Sequence, residues 1–253
     1  MEQASPVAIV TGGARGIGRA IAVALAARGQ RVVLSFRERE QDAQAAVDQI
    51  RSTGAQARCV RADVSQPQQC RALVKEALDA FGRVDVLVNN AGTHLPGVNL
   101  GDIGAQQWQH ILDVNLSGPF HLVQAVLPHM RARGSGHIIN LSSNVTQRMP
   151  AGAGAYTVSK IGLEALTRIL AKEEGPNGIR VNAVAPGPIR TDMLAESFQV
   201  MGRERADAFV RSVPLRRTGE PEEIAAVVAF LVSDAARYVT AQVIYVNGGG
   251  PAG

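Results

Sequence analysis

Two cysteines, one tryptophan and 4% aromatic residues in a chain of 253 positions rule out several kinds of function at the outset. Cys59 and Cys70 are too few for a disulfide framework and have no partners at zinc-ligand spacing, so they read as packing residues of a reducing compartment. The histidines, at positions 94, 110, 121, 129 and 137, also form no ligand spacing, and no metal is expected. Lys and Arg outnumber Asp and Glu only enough for a net charge of +4, with the arginines scattered and few rings to stack on bases. Nucleic-acid binding is therefore not indicated. No run approaches the ~18 apolar residues of a membrane span. The N-terminal MEQASP carries an acid where a signal peptide needs basic residues, so a soluble cytoplasmic protein is expected.

The chain has an ordinary apolar share, 46%, arranged in a regular alternation. Short apolar runs at 7–11, 31–35, 56–60, 84–88, 137–141, 179–184 and 242–246 read as strands. Segments of helical composition at 19–28, 41–52, 67–81, 105–133, 156–174 and 221–232 lie between them, the long one interrupted at Gly118-Pro119. Alternation of this kind predicts an α/β fold, one parallel sheet covered by helices on both faces. Residues 186–214 break the rhythm with prolines and glycine followed by a helix-compatible piece at 194–210, which reads as a substrate lid at about 188–214. No repeat, low-complexity tract or linker divides the chain, so residues 1–253 are taken as one domain.

Two stretches carry chemistry. TGGARGIG, residues 11–18, follows the first strand and opens the first helix. Glycines there allow close backbone approach, and the helix N-terminus offers free N–H groups with partial positive charge, a seat for a pyrophosphate. The second stretch, AYTVSK at 155–160, places Tyr156 and Lys160 four residues apart, on one face of a helix. A tyrosine titrates near ~10 in water, and using it at neutral pH calls for roughly 3 units of depression, or about 4 kcal/mol. At an effective dielectric of ~20, a cation about 4 Å away contributes roughly that much, so Lys160 nearly suffices.

With these stretches stand Asp63-Val64, NNAG at 89–92, Asn115, Ser143, and Pro186-Gly187 with Thr191. In that order and spacing the chain resembles the short-chain dehydrogenase/reductase family from Val7 to Gly250, most of all its 3-oxoacyl-[acyl-carrier-protein] reductases. The resemblance implies a doubly wound Rossmann sheet of order 3-2-1-4-5-6-7, a nicotinamide cofactor across the carboxyl ends of the strands, and a homotetramer. It implies that Tyr156 exchanges a proton with the substrate oxygen and that Lys160 both tunes the phenol and holds the nicotinamide ribose. Ser143, with Ser142 as its competitor, would steady the developing oxyanion, and Asn115 would hold a relay water. Implied cofactor contacts are Gly12, Arg15, Gly16, Ile17, Gly18, Asp63, Val64, Asn89, Ala91, Gly92, Pro186, Gly187, Ile189 and Thr191, besides Tyr156 and Lys160.

Members using NAD tend to carry Asp where this chain has Phe36; Arg37 follows, and with Arg15 it favours NADP(H) over NAD(H). The expected reaction is NADPH-dependent reduction of a ketone resembling a 3-oxoacyl thioester. Alternatives are a reductase or dehydrogenase of a free sugar, polyol, steroid or polyketide intermediate, and a non-catalytic NADP-binding regulator. Arg133 and Lys172 lie at roughly the places where the resemblance implies docking of an acyl-carrier protein.

Overall fold

In the computed structural model, residues 5–250 are described; the N-terminal acid Glu2 and the ends of the 1–253 domain lie outside them. Seven strands, β1 (Val7–Val10), β2 (Arg31–Phe36), β3 (Ala57–Arg61), β4 (Val86–Asn89), β5 (Gly136–Leu141), β6 (Ile179–Pro186) and β7 (Val243–Val246), form one sheet of order β3-β2-β1-β4-β5-β6-β7. Every pairing is parallel. Parallel neighbours need crossovers, and α1 (Gly16–Ala26), α2 (Glu40–Arg51) and α3 (Pro67–Phe81) supply those of the first half. The second half uses α4 (Ala105–Leu112), a π-helical turn (Asp113–Ser117), α5 (Gly118–Arg133), a short α6 (Val145–Arg148), α7 (Gly154–Glu174), α8 (Asp192–Met201), α9 (Arg203–Ser212) and α10 (Pro221–Leu231).

The central strands β1 and β4 are fully buried because they are almost wholly apolar, whereas the edge strand β3, ARCVR, exposes two arginines. Along β1, Ala8 and Val10 turn into a core with Ile21, Leu25 and Val228 from α1 and α10. Ile9, between them, enters a second core with Leu73, Leu122 and Leu170 from α3, α5 and α7. Each fully buried Ile or Leu contributes roughly 1.5–3 kcal/mol. Helices end where sequence dictates: α3 at Gly82 and α5 at Gly134, both in the left-handed region.

The long helical tract is interrupted earlier than its Gly118-Pro119 pair predicts. It widens into the π turn at Asp113–Ser117, while Pro119 falls in the first turn of α5, where a missing N–H costs little. Gly118 marks a close approach instead, since a Cβ there would lie 2.8 Å from the Val64 carbonyl oxygen. The irregular stretch 188–214 carries two helices, α8 and α9, separated at Gly202 (φ 82°). Among the described residues no helix is long and apolar enough to cross a membrane.

Candidate active site

The glycine turn, Ser143, Tyr156 and Lys160 lie at the carboxyl ends of the strands. The turn after β1 is held from beneath by Thr11, whose hydroxyl accepts the N–H groups of Asn90 and Ala91, both at 3.0 Å. Asn90 Nδ2 donates in return to the carbonyls of Thr11 (2.8 Å) and Gly12 (3.1 Å). Gly16 (φ 51°) opens α1, and a Cβ on it would lie 3.2 Å from Thr191 Cγ2. Gly18 is a packing requirement, because a Cβ there would meet the Gly12 oxygen at 2.3 Å. The result is a bare backbone cradle between Gly12–Gly18 and Thr191, with the first N–H groups of α1 directed into it, and it fits a dinucleotide pyrophosphate.

Arg15 and Arg37 do border this groove, but neither stands unpaired: Arg15 meets Asp192 at the start of α8, and Arg37 meets Glu38 at 2.7 Å. Arg39, which the sequence reading did not single out, also approaches Asp192, at 3.8 Å. Such exposed pairs are worth only ~0–1 kcal/mol, little against a phosphate dianion. Phe36, buried at the end of β2, puts no carboxylate at its own position, and the acids of this region, Glu38 and Asp192, are paired with the arginines.

Some motif residues turn out to be structural. Asn89, 1% exposed, donates to Asn140 at 2.8 Å across the β4–β5 pair, so its side chain lies in the sheet and not in the groove. Asp63 uses one carboxylate oxygen on the Ser65 N–H (2.9 Å) and hydroxyl (2.7 Å), a turn leading into α3. Val64 is buried and its carbonyl accepts the Cys70 thiol. Cys70 is buried and its thiol pushed up to about 11 by desolvation, in keeping with a packing role. Ala91 and Gly92 line the approach to the site, where a Cβ on Gly92 would sit 3.7 Å from Lys160 Nζ. Pro186 and Gly187 end β6 against Asn247, Ile189 is buried, and Thr191 caps α8 by accepting the Leu194 N–H.

Tyr156 and Lys160 stand one turn apart on α7, with Lys160 Nζ 5.6 Å from the tyrosine ring centroid. Lys160 is 3% exposed and donates to the Leu141 carbonyl at 2.7 Å. Burial pulls its ammonium down to about 8. The Tyr156 phenol is pushed up by burial, opposed by a hydrogen bond with Ser143. The upward push on the phenol runs against the depression expected from the lysine: Lys160 is buried and Tyr156 half-buried, and desolvation disfavours each charged form.

Of the two serines, Ser143 meets Tyr156, while Ser142 turns inward and donates to Glu164 at 2.8 Å. Asn115, fully buried in the π turn, satisfies the Thr93 N–H (2.8 Å) and carbonyl (2.8 Å) and donates to Ser159 at 3.0 Å. The widened turn is what brings this amide inward.

Two further residues belong to the site. Glu164, 6% exposed, accepts the hydroxyls of Ser142 and Thr146, both at 2.8 Å, clamping the loop on either side of Ser143. Its signal was the same four-residue spacing continued from Tyr156 through Lys160. His94 lies edge-on to Tyr156, with ring centroids 6.3 Å apart, and hydrogen-bonds Ser197 of α8 at 3.2 Å. Only its nearness to the NNAG motif marked it. Arg133 is far from all this, paired with Asp85 at the amino end of β4 at 3.1 Å. Among the described residues no cluster of histidine, cysteine or acid side chains fits a metal ion.

A family model described as Enoyl-(Acyl carrier protein) reductase matches residues 12–250. A 3-oxoacyl-[acyl-carrier-protein] reductase of Staphylococcus epidermidis is 40% identical over 96% of this chain and 97% of its own. The short-chain reductase protein NovJ of Streptomyces niveus is 43% identical over 97% of this chain and 94% of its own. Among solved structures, levodione reductase superposes with a TM-score of 0.93 at 38% identity, covering 96% of both chains. A blue fluorescent protein from a metagenomic library, in complex with NADPH, gives 0.90 at 38%, covering 98% of this chain and 99% of that one.

Proposed function

The chain belongs to the short-chain dehydrogenase/reductase family and is an NAD(P)-dependent oxidoreductase, and from that footing we propose that it uses NADPH to reduce a ketone resembling a 3-oxoacyl thioester to a secondary alcohol. The observation that carries this reading is the pairing of Tyr156 with a buried Lys160 one helical turn along α7, Lys160 Nζ lying 5.6 Å from the tyrosine ring centre and donating to the Leu141 carbonyl at the end of β5.

The dinucleotide would be held by the 12–18 cradle, by Arg15 and Arg37 at its adenosine end, and by Gly92, Lys160, Ile189 and Thr191 at its nicotinamide end. When bound, the nicotinamide supplies the hydride. Tyr156 gives its phenolic proton to the carbonyl oxygen as negative charge grows there. Ser143 donates a hydrogen bond to the same oxygen, a placement worth ~2.7–4 kcal/mol in comparable oxyanion sites. Lys160 stabilises the phenolate left behind, and Asn115 fixes the backbone behind it, where a relay water would be held. In alcohol oxidation Tyr156 takes the proton back. Helices α8 and α9 serve as the lid over 188–214. The exposed Phe120, Val158, Ile161 and Ile169 of α5 and α7 support assembly of copies, consistent with a homotetramer.

The Staphylococcus relative's name supports the thioester, and the NADPH complex of the fluorescent protein supports the cofactor. A second reading, a free small-molecule ketone, is favoured by the position of Arg133. Its pairing with Asp85 leaves it far from Tyr156 and weakens the case for carrier docking beside this site. NADPH oxidation followed with 3-oxoacyl thioesters, diketones, quinones and a 2-enoyl thioester separates the cases. Turnover of the 3-oxo thioester supports the first reading, and turnover confined to free ketones supports the second. Tight NADPH binding with no turnover would leave a regulator.

A further inference from the structure

Three segments close around Tyr156. His94 joins the loop after β4 to α8, Val200 of α8 lies against Gly97, and the Gly97 N–H donates to the Gly152 carbonyl at 2.9 Å. The third segment, between Ser143 and Tyr156, contributes Arg148, the last residue of α6. Its guanidinium carbon lies 4.7 Å from the centre of the Phe209 ring on α9, and Phe209 packs edge-on to Phe198 of α8, centroids 6.2 Å apart. The guanidinium is thus fixed between the loop that carries Ser143 and the lid.

Arg148 combines partial burial with the lack of a carboxylate partner. Arg15, Arg190 and Arg217 each meet a carboxylate, and Arg203, Arg205 and Arg211 of α9, which meet none among the described residues, are exposed to water. Among the described residues Arg148 meets none, although it is partly withdrawn from water, which pushes its guanidinium down. A half-buried guanidinium gives up part of its hydration, and an aromatic face returns only part of that loss, so the stack leaves the charge undercompensated. An arriving anion would supply the difference, and a planar guanidinium suits either a carboxylate or a phosphate.

We propose that Arg148 recognises an anionic group, carboxylate or phosphate, carried by the ketone substrate, with Phe209 holding the guanidinium in place. The inference rests on the ketone-reductase reading of the same site. A phosphate would come from the pantetheine arm of a thioester; a carboxylate would come from a free keto acid.

The test compares kcat/KM in the native enzyme, Arg148→Ala and Arg148→Lys on two matched pairs. One pair is a 3-oxoacyl thioester of N-acetylcysteamine and of phosphopantetheine; the other is a keto acid and its methyl ester. In the native enzyme the anionic member of one pair is expected to lead by about tenfold or more, chiefly through KM, and the pair that responds identifies the source. Arg148→Ala should lower kcat/KM for that anionic member about tenfold more than for its neutral partner, and Arg148→Lys should restore part of the difference. Equal losses on both members would mean that Arg148 only packs the lid, and no native preference in either pair would also overturn the assignment. Calorimetric binding of the anionic and neutral alcohol products, with and without Arg148, reads the same discrimination without turnover. If no ketone is reduced yet Arg148→Ala selectively loses the anionic product, the reductase reading falls and the anion site stands.

Discussion

Lys160 donates its ammonium to the Leu141 carbonyl at 2.7 Å while standing one helical turn from Tyr156, so a single cation ties the end of β5 to the reacting phenol. Burial holds that ammonium near 8, below its usual 10.5. In the free enzyme the charge is therefore lost as pH rises through about 8. Ribose hydroxyls and cofactor phosphates favour the charged form, so NADPH binding at pH 8–9 should take up protons, and affinity should fall above pH 8. Calorimetry in two buffers of different ionisation heat checks this. Binding without proton uptake at that pH would contradict the assignment.

The same shift predicts a stability effect. The folded value of about 8 lies below the unfolded 10.5, so between them the unfolded chain holds more protons and this group's contribution to stability rises with pH. Replacing Lys160 by Met removes a desolvated charge. The variant should be no less stable at pH 7, by up to ~3 kcal/mol more stable, while losing NADPH affinity. Urea unfolding and cofactor titration on one sample test both halves.

Glu164 holds two buried hydroxyls on either side of Ser143. Glu164→Ala strands the Ser142 hydroxyl, while Thr146 keeps the Ser143 carbonyl at 2.9 Å, and should cost ~1–3 kcal/mol. It should lower kcat about tenfold or more with little change in the KM for NADPH, because only the serine loop shifts. Glu164→Gln keeps an acceptor and should recover most of the rate. A rise in cofactor KM with kcat intact would show that the loop is not what Glu164 supports.

Arg37 pairs with the adjacent Glu38, on the surface at the end of β2. Arg37→Asp should reduce kcat/KM for NADPH by about 10²-fold while leaving NADH largely unaffected, since a carboxylate repels a 2′-phosphate and accepts from a ribose hydroxyl. An unchanged NADPH-to-NADH ratio would remove Arg37 from the cofactor site.

The sheet was legible in the sequence because strand and helix periods alternate regularly on either side of the irregular stretch 186–214, and buried parallel strands such as VLVN in β4 read as continuous apolar runs. The Tyr156–Lys160 pair was legible because helical spacing guarantees a shared face. Side-chain direction was not. Asn89 and Asn90 are neighbours in one motif, yet one points into the sheet and the other supports the glycine turn. Ser142 and Ser143 diverge in the same way. The π turn escaped notice because a widened turn has no composition of its own, whereas Gly118 and Pro119 carry a strong local signal that packing against Val64 explains differently. The electrostatic expectation for Tyr156 missed its sign because spacing along a helix says nothing about how deeply both groups are desolvated.

The most direct test is Tyr156→Phe, which keeps the ring against His94 and removes only the proton donor. Stopped-flow reduction of the best ketone should show kcat lowered ~10²–10⁴-fold, with the NADPH dissociation constant unchanged within about threefold. Retention of near-native kcat in Tyr156→Phe would contradict the account.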